Sequence, residues 1–317
     1  MCRTTVPAVA IVQYLSTYYC GSACSTQSTY MGNLLARRTV DPSGDAFDRA
    51  ATAAAQGDVP NLTTLLQDQR WNLVQDDDGA DGVFLIHIAA QAGQRQSCEC
   101  LLEHGSPHAP RTAVRGETPA QVAAAAGHGE LAEWLSASMP AVLFLDVDGV
   151  LNSQESRALD PSHMPSADAL ANLVHIAHTA GPLRVVLSST WRLDVELRLR
   201  LSEALRGIGI ELAGDTPDLE TTCSGDRVDE IISALWKASS SGRDILPWLA
   251  IDDMDLLYMN PKLHPDAFVR TDDAVGLTRA KAEEAVEKLT KQRQAVNEPG
   301  WGDSASLPRL MGPWSGH

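Results

Sequence analysis

Two aspartates one valine apart, Asp146 and Asp148, interrupt an otherwise apolar run, "AVLFLDVDGVLN" (Ala141–Asn152). Ser188 and Ser189 follow a second apolar run, and Asp252 and Asp253 follow a third. Carboxylate and hydroxyl oxygens are hard donors of the kind a divalent cation takes. A carboxylate can also attack as a nucleophile or carry a proton. A strand-end turn or a helix cap would account for any one of these pairs. It accounts poorly for all three.

The elements that must position them can be read from the pattern. "AVLFL" (Ala141–Leu145), "LRVVL" (Leu183–Leu187) and "WLAI" (Trp248–Ile251) read as buried strands. Between the first two, "SADALANLVHIAHTAG" reads as a helix with Ser166 as N-cap and Gly181 as its stop. "LDVELRLRLSEAL" alternates like a strand, but its Leu, Arg and Glu content and unbroken length favour helix. "IGIEL" suggests a short strand, and "DRVDEIISALW" a further helix. Strands alternating with helices imply a parallel sheet covered on both faces. Ligands bind such sheets beyond the carboxyl ends of the strands. All three polar pairs lie at those ends, so they should converge on one small volume.

Ahead of this region the chain repeats itself. "AAAQG" ends at Gly57, "AAQAG" at Gly93 and "AAAAG" at Gly127, with gaps of 36 and 34 residues. Each phrase precedes an apolar helix signal, and "DGVFLIHIAA" and "RGETPAQVAA" lead into the second and third. The period of about 33 residues and these phrases resemble ankyrin repeats. Thr118 and Pro119 match the opening in one copy and His87 in another, where histidine steadies a turn. Small alanines let paired helices approach, glycine ends the first helix in a left-handed conformation, and stacking supplies the core.

Residues from about Ala141 to Ala280 resemble the haloacid dehalogenase (HAD) superfamily of phosphotransferases. "FLDVDGVLN" is similar to its first motif, "VVLSST" to its second and "WLAIDD" to its fourth. "STWR", "RVDEI" and "TDDAVGLT" most resemble the HAD domain of Swiss Army Knife RNA repair proteins. The resemblance implies an α/β Rossmann-like HAD fold, a parallel sheet flanked by helices, preceded by an all-α ankyrin-repeat domain. It implies Asp146 as the nucleophile that forms an aspartyl-phosphate, and Asp148 as general acid and base. Mg²⁺ would be held by Asp146, the Asp148 main-chain carbonyl and Asp252, with Asp253 as a further ligand or a neighbour of the ligands. Ser188 or Ser189, Ser188 by preference, would bind the phosphate. Arg227 fits the cation of the third motif, where the family often has lysine. Arg192 is either a substrate contact or an ordinary acid-paired arginine. Gly149 permits the turn after the acids, and Asn152 braces it.

The expected organisation is an arm (1–44), about three ankyrin repeats (45–138), the HAD-like domain (141–292) and a disordered tail (293–317). The intervals after the first two strands are too short for a sizeable cap. A minimal cap leaves the site open to a bulky phosphorylated substrate, such as a polynucleotide end or a phosphoprotein. The repeats suggest a protein partner. Rival expectations are an inactive protein-binding module and a small-molecule 5′-nucleotidase-like phosphatase. The formal net charge of −16 disfavours nucleic acid and anionic membranes as partners. No apolar segment is long enough to span a bilayer. The six cysteines lack a disulfide or zinc spacing, although Cys20 and Cys24 could share a metal. Residues 1–40 carry Arg3, Arg37 and Arg38 and no acid. They suit either a disordered arm on a cytoplasmic protein or an organellar transit peptide.

Overall fold

The computed structural model of the chain describes residues 42–68, 73–74, 82–160, 162–219, 226–238 and 246–297. Residues 1–41 of the expected arm, Cys2, Cys20, Cys24, Cys223 and residues 298–317 of the expected tail lie outside them. Helix reaches past both expected boundaries: one helix begins at Pro42, inside the expected arm, and another ends at Val296, inside the expected tail. The chain forms two compact units. One is helical and runs to Ala132; the other runs from Glu133 onward and includes His108–Pro110.

The helical unit is built from helix pairs: α1 (Pro42–Gln56) with α2 (Val59–Leu66), α3 (Leu85–Gln91) with α4 (Arg95–Glu103), and α5 (Pro119–Ala125) leading into the first residues of α6 (Gly129–Ser138). Each pair turns on one of the repeated glycines, and Gly57, Gly93 and Gly127 have φ of 73°, 70° and 88°. Two of them are required for a second reason. A β-carbon on Gly57 would lie 2.5 Å from Gln94 Oε1, and one on Gly93 would lie 2.6 Å from the His128 ring. Each of these two turns therefore packs on the residue that follows the next repeat's glycine. His87 does steady a turn: its Nδ1 accepts from the Phe84 N–H at 3.1 Å, so Nε2 carries the proton and donates to the Glu117 carbonyl at 3.1 Å. Thr118 and Gln121 exchange capping hydrogen bonds at the start of α5.

The second unit is a five-stranded parallel sheet, β1 (Ala141–Leu145), β2 (Leu183–Leu187), β3 (Leu212–Asp215), β4 (Trp248–Asp252) and β5 (Phe268–Arg270), in the order β3-β2-β1-β4-β5. On one face Leu143, Leu145, Leu187 and Ile251 meet α8 (Ala167–Ala180), α9 (Val195–Gly207) and α11 (Arg279–Val296) through Leu173, Leu201 and Leu289. On the other, Val142, Phe144 and Ala250 meet α10 (Arg227–Ala238) through Val228, Ile231 and Leu235. Every residue of β1 and β4 is buried, which explains their unbroken apolar sequence. The sequence winds from β1 outward to β3, then resumes at β4 on the other side of β1. The switch point lies between β1 and β4, and an open α/β sheet has its ligand crevice there.

Two details differ from the sequence reading. The strand expected at "IGIEL" begins only at its last residue, Leu212. Ile208 and Gly209 finish α9 instead: Gly209 has φ of 78°, and the Ile210 N–H bonds the Leu205 carbonyl at 3.0 Å. The strand β5 was not anticipated, because three residues are too few for a periodic signal. "LDVELRLRLSEAL" is helical, as its composition indicated. Between β1 and β2 the described residues hold only α7 (Gln154–Leu159) and α8, with no separate cap domain. Among the described residues no helix is long and apolar enough to cross a membrane.

Gly93→Ala is expected to destabilise the helical unit by about 1–2 kcal/mol from the left-handed backbone alone, and by more once the β-carbon meets His128. Urea unfolding of the full chain followed by far-UV circular dichroism checks it. An unchanged midpoint would contradict the turn geometry.

Candidate active site

The sheet register brings the polar pairs together. Leu145 pairs with Leu187 and with Ile251, so the next residues, Asp146, Ser188 and Asp252, stand at one level on three neighbouring strand ends. The ladder continues through them: Asp146 N–H bonds the Ile251 carbonyl at 3.1 Å, and Ser188 N–H the Leu145 carbonyl at 2.9 Å.

Asp146, Asp252 and Asp253 each offer an oxygen, and these oxygens lie within 4.8 Å of one another. Asp146 and Asp252 are buried. Gly149 makes this crowding possible. With φ of +72° it turns the chain aside, and a β-carbon there would lie 2.5 Å from Asp253 Oδ2. Arg227, the first residue of α10, reaches in from the opposite side. Its Nη1 lies 3.0 Å from Asp252 Oδ2 and 3.6 Å from Asp146 Oδ1, and it donates to the Ser188 carbonyl. One guanidinium against three carboxylates leaves two uncompensated negative charges. Burial, followed by repulsion from Asp146, pushes Asp252 up to about 7, with Arg227 opposing. Burial also raises Asp146, against the pull of Arg227 and a hydrogen bond from Ser189. Asp253 is raised by its own partial burial and then by Asp273. An all-oxygen, doubly negative cluster suits a hard divalent cation, so these residues could hold one.

Asp148 stands apart from that trio. Its Oδ1 accepts from Asn152 Nδ2 at 2.9 Å and its Oδ2 from Trp191 Nε1 at 2.9 Å. Asn152, fully buried, also donates to the His163 carbonyl at 2.7 Å, so it braces the loop as its position suggested. The two serines divide. Ser189 hydrogen-bonds Asp146, whereas Ser188 Oγ is buried without a partner among the described residues. Arg192 is acid-paired. It lies 2.7 Å from Glu230, both side chains being 6% exposed or less, and it donates to the Ser189 carbonyl at 2.7 Å.

Sequence reasoning missed four contributors. Trp191 sits inside the quoted "STWR" but carried no role of its own. Arg157 and Asp273 pair at 2.7 Å and tie the loop after β1 to the loop after β5; Asp273 sits inside the quoted "TDDAVGLT" without a role of its own, and nothing local marked Arg157. Glu230 holds Arg192 from the helix that presents Arg227.

Carboxylates gathered at the switch point of a parallel sheet, with a hydroxyl pair on one side and a helix-borne arginine on the other, are consistent with an α/β fold of the haloacid dehalogenase class. Residues 142–282 match the family described as the HAD domain in Swiss Army Knife RNA repair proteins, and residues 51–142 match ankyrin repeats in three copies. The chain therefore joins three N-terminal ankyrin repeats to a HAD domain of that family. No curated protein matches it.

The raised carboxyls keep their protons longer in the fold than in the unfolded chain. Stability from this cluster is therefore full at acid pH and falls as pH rises toward 7 and beyond. A bound divalent cation offsets the loss. Its stabilisation should be larger at pH 7.5 than at pH 5, reaching about 2.7 kcal/mol at a hundredfold excess over Kd. Thermal melts with and without Mg²⁺ at both pH values measure this. An equal gain at both would separate the cation from these carboxylates.

Proposed function

We propose that the protein is a Mg²⁺-dependent phosphomonoester hydrolase that works through an aspartyl-phosphate on Asp146 and is brought to its substrate by the ankyrin repeats. The observation that carries this reading is the meeting of Asp146, Asp252 and Asp253 beside Ser188, Ser189 and Arg227 at the switch point. Mg²⁺ held by Asp146, the Asp148 main-chain carbonyl and Asp252, with Asp253 alongside, would neutralise the repulsion between these carboxylates and a phosphate dianion.

In the first step an Asp146 carboxylate oxygen attacks phosphorus. The bond from phosphorus to the leaving oxygen breaks with its electron pair, and Asp148 supplies the proton that oxygen takes up. In the second, Asp148 removes a proton from water as the water oxygen attacks phosphorus, and the bond to Asp146 breaks to restore its carboxylate. The unpartnered Ser188 hydroxyl is free to donate to a phosphoryl oxygen, and Ser189 holds Asp146 in line. Arg227 supplies fixed positive charge where negative charge accumulates.

The substrate is expected to be large, because the described residues contain no cap over the site. The matched family is named for RNA repair proteins, which makes a polynucleotide end one candidate. Charge argues for a phosphoprotein instead. Beyond the net charge of −16, the cations near the strand ends are already engaged: Arg157 with Asp273, Arg198 with Asp215, Lys262 with Asp229 and Arg270 with Asp255. A polynucleotide would have to displace these pairs.

The purified full chain with Mg²⁺ should hydrolyse a phosphoprotein or polynucleotide-end panel faster than nucleotides or sugar phosphates. Asp146→Asn should lower turnover at least about 10³-fold. Undiminished turnover by that variant would remove Asp146 as nucleophile. Preference for nucleotides would shift the substrate to small molecules. Inertness on every ester would leave a binding module.

A further inference from the structure

We propose that Trp191 is a positioning residue for the proton-transfer step: its indole N–H, together with Asn152, clamps both carboxylate oxygens of Asp148 at the mouth of the site. The proposal rests on the phosphatase reading above and adds to it the means by which the proton carrier is aimed.

Asp148 needs such a device. Its side chain is 49% exposed, and an exposed aspartate is free to change rotamer. A competing partner is also close, since Arg157 Nη1 lies 3.9 Å from Oδ1 while Arg157 Nη2 is anchored on Asp273 at 2.7 Å. Left to itself, the carboxylate would swing onto that guanidinium and away from the leaving oxygen. Asn152 opposes this from within the same loop, bonding Oδ1 at 2.9 Å. Trp191 opposes it from the turn that follows β2, bonding Oδ2 at 2.9 Å across 43 residues of chain.

The indole is a suitable anchor. It is 4% exposed and belongs to the same apolar cluster as Leu145 and Leu187. Its backbone is held in a 3₁₀ turn (Thr190–Leu193) that begins immediately after the two serines, with its N–H turned toward Ser189 Oγ at 3.5 Å. An indole nitrogen can only donate, so it always presents a proton to Oδ2 and cannot reverse the bond. One turn thus sets both the phosphate-side serines and the proton carrier, at a fixed spacing from each other.

The same hydrogen bond also satisfies a buried indole, and that purely structural role makes a different prediction. A clamp matters most when the leaving oxygen is basic and needs a proton, and least when it departs unaided. The test compares kcat/KM for the full-length protein and Trp191→Phe on 4-nitrophenyl phosphate, phenyl phosphate and an alkyl phosphate, with Mg²⁺ present. The variant should lose about tenfold or more on the alkyl ester, a fraction of the roughly 10²–10⁴-fold available to proton transfer. It should lose no more than about twofold on the nitrophenyl ester, whose leaving group needs little help. Benzothienylalanine placed at position 191, which keeps the ring shape and removes the donor, should reproduce the pattern even if phenylalanine unsettles the fold. Parallel losses on all three esters, or none, would overturn the clamp. Asp146→Asn keeps the two failures distinct. Loss of all turnover in it, beside an active native protein, upholds the phosphatase reading whatever Trp191 does. A native protein inert on every ester removes that reading and the clamp with it.

Discussion

The site depends on the repulsion among carboxylates that the sheet forces together. Asp146 and Asp252 occupy equivalent positions on adjacent parallel strands, and Asp253 follows directly. Their separation is therefore set by strand spacing and register rather than by side-chain choice. Burial removes the water that would screen them, and Arg227 supplies one positive charge among three acids. The visible sign is Asp252, pushed up to about 7. A fold that accepts such a cluster is poised for a cation and for an anionic substrate at one point.

The surrounding structure maintains that crowding. Gly149 leaves room where any side chain would strike Asp253. Asn152 holds the loop after β1 from the inside. Thr271 Oγ1 bonds the Gly149 carbonyl at 2.9 Å, and the Arg157–Asp273 pair closes the same loop against the one after β5. The buried Arg192–Glu230 pair links the turn that carries the serines to the helix that carries Arg227. A buried ion pair of this kind contributes little net stability; its service here is to fix two elements of the site relative to each other.

The helical unit follows a different logic. Its core comes from stacking, and the glycine of each turn is needed for its left-handed backbone, with Gly57 and Gly93 also leaving space for the next repeat. The shared backbone requirement makes Gly57, Gly93 and Gly127 the most regular feature of the first half of the chain, and it is why the repeats were legible despite their varied apolar residues. His87 was legible for a similar reason, because its bonds run to a backbone N–H three residues away and to the start of the next repeat.

Local chemistry in the sequence was enough to determine the strand–helix alternation, the repeats, the glycine turns and the acids and hydroxyls at the strand ends, because each is written within a few neighbouring residues. The pairing of "LDVELRLRLSEAL" with helix was legible from composition, while the start of β3 was missed because Gly209 ends the preceding helix later than the apolar pattern suggested. Tertiary structure alone decided which serine faces Asp146, that Arg192 is consumed by Glu230, and that Trp191 and Asn152 take the two oxygens of Asp148. Those outcomes are contacts across tens of residues, set by register and helix packing, and no local pattern encodes the distance between two strand ends.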